Sequence, residues 1–414
     1  MNNPALRLLT TAAVLILGGL VPAGTTAFAQ EAIPASYRMP RPARAIPQTA
    51  DEAIEASEAP AADDGSSWKL LQPFVEDTGL ELGGWLQLGW HTDSNDLFNS
   101  DPDRLNLHQA WLFVERLADG SQGGVDFGFR FDALYGTDGG DTASFGNPAG
   151  SDGDLRGWDA GDNFQTGDGY GFALPQAYVE AASGDWNVKA GHFYTLIGYE
   201  VVGAPGNFFY SHAITMYNSE PFTHTGVLAS YALDDDTTVY GGWTLGWDTG
   251  FEQFAEGSNF LGGVATNLSD DVALAYMTTI GDFGARGRDA FMQSVVVDVA
   301  LSDRLNWVLQ SDLLQVGSTG EDTLGLNQYL FCDVDDDLSL GARFEWWKAD
   351  VATGFAPHGG TNPASGSVSH YEATFGANYR IGANLTLRPE YRYDWSEGAD
   401  YNRSVLGMDL IATF

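Results

Sequence analysis

Cysteine is nearly missing from this chain: Cys332 stands alone among 414 residues, so no disulfide can form within the chain and no cluster of thiolates is available for a metal. Basic side chains are scarce, with 19 Lys and Arg against 56 Asp and Glu and a net charge of -37, which argues against nucleic acid as a partner. Long apolar runs are missing too. Beyond Leu20 nothing approaches the roughly 20 apolar residues of a spanning helix, so a membrane-resident chain of this kind must cross as strands closed into a barrel. The histidines, including His91, His108, His192, His224 and His370, have no serine or acid arranged around them as a nucleophile and base. No catalytic residue and no cofactor is therefore expected, and the chain is read as something other than an enzyme.

What the sequence does have is period-two patterning. In Gly124 to Tyr135 one face carries Val125, Phe127, Phe129, Phe131, Ala133 and Tyr135, while the other carries Asp126, Gly128, Arg130, Asp132 and then Leu134. Asn384 to Trp395 repeats the design, setting Leu385, Leu387, Pro389, Tyr391, Tyr393 and Trp395 against Thr386, Arg388, Glu390, Arg392 and Asp394. Charges recurring in mid-strand on one face, with apolar residues on the other, fit a sheet wetted by lipid outside and water inside. About 16 such stretches can be marked between Leu80 and Phe414. Brief turns such as Ser183-Gly184, Ser269-Asp270 and Gly382-Ala383 alternate with longer links such as Gly136 to Gly171, Ile197 to Phe222 and Ala349 to Ser367. The expected fold is an all-β, transmembrane, antiparallel up-and-down barrel with short periplasmic turns and long extracellular loops.

Ahead of the strands, Arg7, the apolar run Leu8 to Leu20 and Ala27-Phe28-Ala29 have the layout of a secretory signal, so residues 1–29 are expected to be cleaved near Ala29. Residues 30–79, rich in Pro, Ala and acids, read as a flexible periplasmic linker. Residues 80–414 form the expected outer-membrane barrel. Outward Trp90, Tyr135, Trp247, Trp346, Tyr371 and Trp395 are expected at the loop rim, and Trp186, Trp307, Tyr379 and Phe414 at the turn rim, as two interfacial girdles.

Gly191-His192-Phe193-Tyr194-Thr195-Leu196-Ile197-Gly198-Tyr199-Glu200, then Asn207-Phe208-Phe209-Tyr210-Ser211-His212, then Pro221-Phe222-Thr223-His224-Thr225-Gly226-Val227 resemble, in order and spacing, a passage of the putative beta-barrel porin family of the second type, OmpL-like bacterial porins. Where that family commonly has Ser-Arg, this chain has Ser211-His212, which removes a permanent positive charge. The resemblance implies a diffusion channel in the outer membrane. Its partners would be membrane lipid, the barrel-assembly machinery during biogenesis and small hydrophilic solutes, and a homotrimer is compatible with it. The competing reading is a structural or adhesive outer-membrane barrel whose pore is blocked.

The segment at about 197–222 is too apolar and aromatic for a solvated loop, and is expected to fold inward and narrow the pore. The expected pore lining and constriction comprise Asp126, Arg130, Asp132, Lys189, Glu200, Arg343, Glu345, Glu372 and Arg392. Glu200 either faces Arg130, Arg343 and Arg392 across the passage or these arginines pair along the wall, as Arg343 would with Glu372. The acidic balance implies a mild cation preference. Asp138, Asp141, Asp152, Asp154, Asp159, Asp162 and Asp168 crowd one long link; Asp152, Asp154, Asp159 and Asp162 could ligate calcium, although they lack the EF-hand spacing, and solvation is the favoured reading.

Overall fold

Alternation between lipid-facing and inward side chains is what the backbone builds on. The computed structural model of the chain describes residues 80–144, 158–159, 165–167, 169–253, 255–350, 367–397 and 402–414. The expected signal, linker and calcium candidates Asp152, Asp154 and Asp162 lie outside them. Sixteen antiparallel strands are described. They run β1 (Glu81–His91), β2 (Asn106–Arg116), β3 (Asp126–Gly136), β4 in two pieces (Tyr170–Ala173 and Ala177–Ser183), β5 (Trp186–Tyr194), β6 (Thr223–Ala232), β7 (Thr237–Thr244) and β8 (Ser258–Ser269). β9 (Val272–Asp282), β10 (Ala290–Ser302), β11 (Leu305–Val316), β12 (Glu321–Asp333), β13 (Leu338–Asp350), β14 (Ser367–Ile381), β15 (Leu385–Glu397) and β16 (Asn402–Thr413) complete the order. A further short strand, Gln165–Gly167, pairs only with the first piece of β4.

Each strand pairs with its sequence neighbours, and β16 returns to β1 in the register Trp85↔Thr413 to His91↔Gly407. The amide of Phe414 donates to Gly84 O at 3.0 Å and that of Gly84 to Phe414 O at 3.1 Å, so the seam is zipped to its last residue. Closure removes the two edges that an open sheet would offer to other chains. Among the described residues no helix is long and apolar enough to cross a membrane. Gly184, at φ +56°, supplies the left-handed residue that the tight β4–β5 hairpin demands.

The two faces separate by burial. Phe127 and Phe131 are 66% and 43% exposed, whereas Arg130 and Asp132, between and beside them on β3, are 3% and 0% exposed. Rings gather on the outer face near strand ends: Tyr371 stacks on Trp395 with centroids 5.3 Å apart, and Trp186 lies 4.7 Å from Tyr231. Trp247 departs from the expected girdle. β7 ends at Thr244, Gly246 takes φ +128°, and the chain turns so that Trp247 is buried against Phe283 at 5.3 Å with the Arg286 guanidinium 4.3 Å above its ring. Once strand pairing stops, the outward alternation no longer governs where a ring points.

The interior is also less polar than a water-filled tube requires. Inward Leu228, Leu261, Met277, Met292, Val308 and Leu314, from β6 and β8 to β11, join one buried apolar cluster. Trp85 and Trp111, stacked at 4.5 Å, belong to a second one on β1 and β2. Charged side chains concentrate on β13 to β16 and on β3.

Because the outer face is apolar while the inner is not, Phe131→Arg should destabilise the folded barrel by about 2–4 kcal/mol, the cost of a cation on a lipid-facing midplane. Urea unfolding in lipid vesicles measures this, and an unchanged midpoint would contradict the assignment of faces.

Candidate functional site

β5 and β6 are joined by a long connection whose base is tied shut: Thr195 N donates to Phe222 O at 3.0 Å. At its exit, Asp248 accepts the amides of Phe222 and Thr223 at 2.5 and 2.7 Å. The connection's apolar residues Ile197, Val202, Phe209, Ile214 and Met216 are buried. A six-residue helix, Ile214–Ser219, begins after Ala213, a residue that has no side-chain acceptor for the first-turn amides. β13 supplies one. Glu345 accepts Ile214 N and Thr215 N, each at 2.6 Å, and Glu200 accepts Ala213 N at 2.8 Å, so two carboxylates satisfy the open end of the helix.

Three arginines hold the rest of the connection against β13 and β15. Arg343 pairs with Glu372 at 2.8 Å and with Glu200 at 2.7 Å, donates to Ser211 O at 2.7 Å, and lies 5.0 Å from the Phe209 ring centre. Arg392 pairs with Asp394 at 2.8 Å and donates to His212 O at 2.5 Å. Arg388 pairs with Asp409 at 2.5 Å and donates to Ala204 O at 2.9 Å. Each cation thus meets one wall carboxylate and at least one carbonyl of the connection, the arrangement that lets a buried charge be tolerated.

Tyr210 occupies a socket made by two glycines on adjoining strands. A Cβ at Gly89 would lie 2.6 Å from its hydroxyl, and one at Gly407 would lie 2.8 Å from its ring. Its hydroxyl sits between His108 Nε2 at 2.7 Å and His91 Nδ1 at 3.1 Å, and His108 Nδ1 is 2.9 Å from Asp138. An ionised Asp138 only accepts, which places the His108 proton on Nδ1 and leaves Nε2 to accept from Tyr210. The tyrosine proton being used there, His91 donates to the phenol oxygen. Glu390 accepts the amides of Tyr210 and Ser211 at 2.9 and 3.1 Å, and Gln109 donates to Val202 O at 2.8 Å while accepting Ala204 N at 3.0 Å.

Of the residues expected from the sequence, the fold brings together Glu200, Arg343, Glu345, Glu372 and Arg392. Glu200 touches Arg343 directly, and Arg343 also pairs along the wall with Glu372. Arg130 and Asp132 form a separate group on β3, with Arg130 3.0 Å from Glu115 and 2.7 Å from Asp132. Lys189 stands 4.2 Å over the Tyr178 ring. Asp126, at the short-turn end of β3, pairs with the exposed Arg116 at 3.0 Å. Asp159 accepts from Ser144 N and Leu174 N at 3.0 and 2.9 Å, bracing the long link. Among the described residues no group of three or more His, Cys, Asp or Glu is placed to hold a metal ion. His212 has Nδ1 3.4 Å from Glu200. Sequence reasoning missed Tyr210 and its socket. Alternation turns Gln109 inward and His108 outward; the register shift between Gln87 and Leu88 leaves His108 as an extra residue, and the structure buries it beside Gln109.

A closed antiparallel barrel of sixteen strands, with a long connection bonded to its inner wall, is an architecture shared with porins. The profile of the putative beta-barrel porin-2, OmpL-like family matches residues 79–414, and the chain belongs to that family. Comparison with curated proteins finds no match. Among solved structures, the fold is similar to an anion-selective porin from Comamonas acidovorans (TM-score 0.55, 11% identity, covering 81% of this chain and 99% of that one). It is similar also to the outer membrane channel DcaP of Acinetobacter baumannii (TM-score 0.53, 12% identity, 81% and 97% covered). A third is the trimer form of OmpT, an outer membrane protein of Vibrio cholerae (TM-score 0.51, 12% identity, 81% and 99% covered). At these identities the likeness establishes the fold.

Two outcomes follow from these contacts. Arg343→Leu strands Glu200 and Glu372 in a buried site and should cost about 3–5 kcal/mol in urea unfolding, while Glu200→Gln, which leaves Arg343 its Glu372 partner, should cost clearly less. Burial pushes the Asp248 carboxyl up to about 7, against the opposing pull of the Thr223 and Phe222 amides and of Arg286. A folded-state value above the unfolded 3.8 means that its contribution is fully present below about pH 4 and is lost as pH rises to about 7. Asp248→Asn should therefore flatten the pH dependence of unfolding across that window, as a pH series of urea midpoints would report.

Proposed function

We propose that the chain is an outer-membrane porin that lets ions and small hydrophilic solutes diffuse through its barrel, and that the Thr195–Phe222 connection is its constriction. The observation that carries this reading is the fastening of that connection to inward side chains of β2 and, across the barrel from the strands that launch it, of β13 and β15. Family membership supports it. A loop held inside a wide barrel sets the minimum width of any passage. In this reading residues 1–29 direct export and are cleaved near Ala29, residues 30–79 form a periplasmic linker, the barrel-assembly machinery inserts the strands, and the porin works as a homotrimer, as the trimer form of the similar OmpT suggests. The selectivity of the Comamonas acidovorans porin is for anions; here the net charge of -37 supports a mild cation preference instead.

One observation favours a second reading, a structural barrel with a blocked pore: Arg343, Glu345, Glu372 and Arg392 are all at most 1% exposed. Planar-bilayer recording separates the two. The porin should give discrete conductance steps with a reversal potential on the cation side, and Glu345→Ala with Glu390→Ala, which removes two anchors of the connection, should raise the conductance by roughly twofold or more. Arg343→Gln with Arg392→Gln should shift the reversal potential further toward cations. A wild-type barrel that stays silent while the anchor variant conducts supports the blocked reading.

A further inference from the structure

The arginines that point inward from β3, β13 and β15 all have carboxylate partners: Arg130 with Glu115 and Asp132, Arg343 with Glu200 and Glu372, Arg388 with Asp409, Arg392 with Asp394. The converse fails: Glu345 and Glu390 are met by backbone amides of the connection rather than by an arginine, and one wall carries two further buried acids. Asp298 on β10 and Asp312 on β11 are 4% and 1% exposed, and among the described residues neither makes an ion pair. Asp312 shares the Gln310 amide with Glu220, at 2.7 and 2.6 Å. The Asp298 Oδ1 and the Asn306 Oδ1 are buried oxygens with no hydrogen-bond partner. An unpartnered, buried, charged acceptor is costly and rare in a folded protein.

Aromatic rings share that corner. Register places Asp298, Val308 and Tyr329 in one inward row and Asn306 with Phe331 in the next. From the connection, Tyr199 packs 4.8 Å from Tyr329 and 6.5 Å from Phe331. Phe208 lies 4.8 Å from Phe331. Tyr199, Phe208 and Phe331 are only partly buried, and Phe331 lies near the short-turn end of β12, so the cluster borders the barrel's short-turn mouth.

We propose that Asp298, Asn306, Tyr199, Tyr329 and Phe331 form a binding site for an organic ammonium ion bearing an apolar or aromatic body. The carboxylate opposes the positive nitrogen, the Asn306 oxygen accepts an N–H where the ligand has one, and the ring faces add cation–π attraction and an apolar floor. An anion of the same size would meet Asp298 with like charge. The proposal rests on the channel reading only for how the solute arrives.

The probe is benzyltrimethylammonium, titrated by calorimetry into the full-length protein folded in detergent, with benzoate as the anionic control. Saturable binding is expected for the ammonium and none for benzoate. Asp298→Asn should weaken it by roughly tenfold or more, and Phe331→Leu, which keeps an apolar side chain, by roughly threefold or more. Folding of each variant is checked by its heat-modifiable gel mobility; should Asp298→Asn fail to fold, Phe331→Leu and the benzoate comparison still decide. Absence of saturable ammonium binding, binding unchanged in folded variants, or equal binding of benzoate would overturn the site. Channel recording is separate: conductance without ammonium binding defeats the site alone, whereas binding to a silent barrel leaves the site standing and defeats the channel reading.

Discussion

The contact between Arg343 and Glu200 ties wall to connection, and the arrangement of the interior follows from it. A guanidinium buried in a barrel lumen needs charge and acceptors on several sides, and β13 and β14 provide only part of that set through Glu372. Glu200 and the Ser211 carbonyl complete it. The dependence runs both ways, because the helix that follows has no cap of its own and takes the Glu345 carboxylate from the same strand as Arg343. Apolar contacts alone would leave the connection several ways to lie in the barrel; bidentate and helix-end contacts fix one.

The interior is consequently divided by chemistry. Where the connection presents Leu196, Ile197 and Phe209, the opposing strands present aliphatic side chains, and the result packs as a protein core does. Where it presents carbonyls and amides, the opposing strands present arginine and carboxylate. Asp298, on β10, lies in one inward row with Tyr329, and an organic cation suits that corner better than a hydrated inorganic one.

Much of this was legible in the sequence, for one reason: the side-chain period of a strand is two, so facing is decided locally. The inward positions of Arg130, Asp132, Arg343, Glu372, Arg392 and Asp394 follow from alternation, and the structure buries all of them. The unusual apolarity of the segment beyond Ile197 was equally legible. Trp247 shows the limit. Alternation was carried past the end of β7, into a stretch where Gly246 redirects the chain and an arginine–aromatic contact fixes the ring.

By itself the sequence determined the all-β barrel, its sixteen strands and the chemistry of each face, because those are written in a repeat of two residues and in the spacing of turns. Tertiary structure alone decided which inward charges meet. Glu200 reaches Arg343, Tyr210 reaches His108 and Glu220 shares Gln310 with Asp312, across separations in sequence that no local pattern records. Those pairings depend on how the sheet closes and on where one connection docks against the opposite wall. Both are long-range properties: they are fixed by the sum of buried contacts and not by the residues next to them.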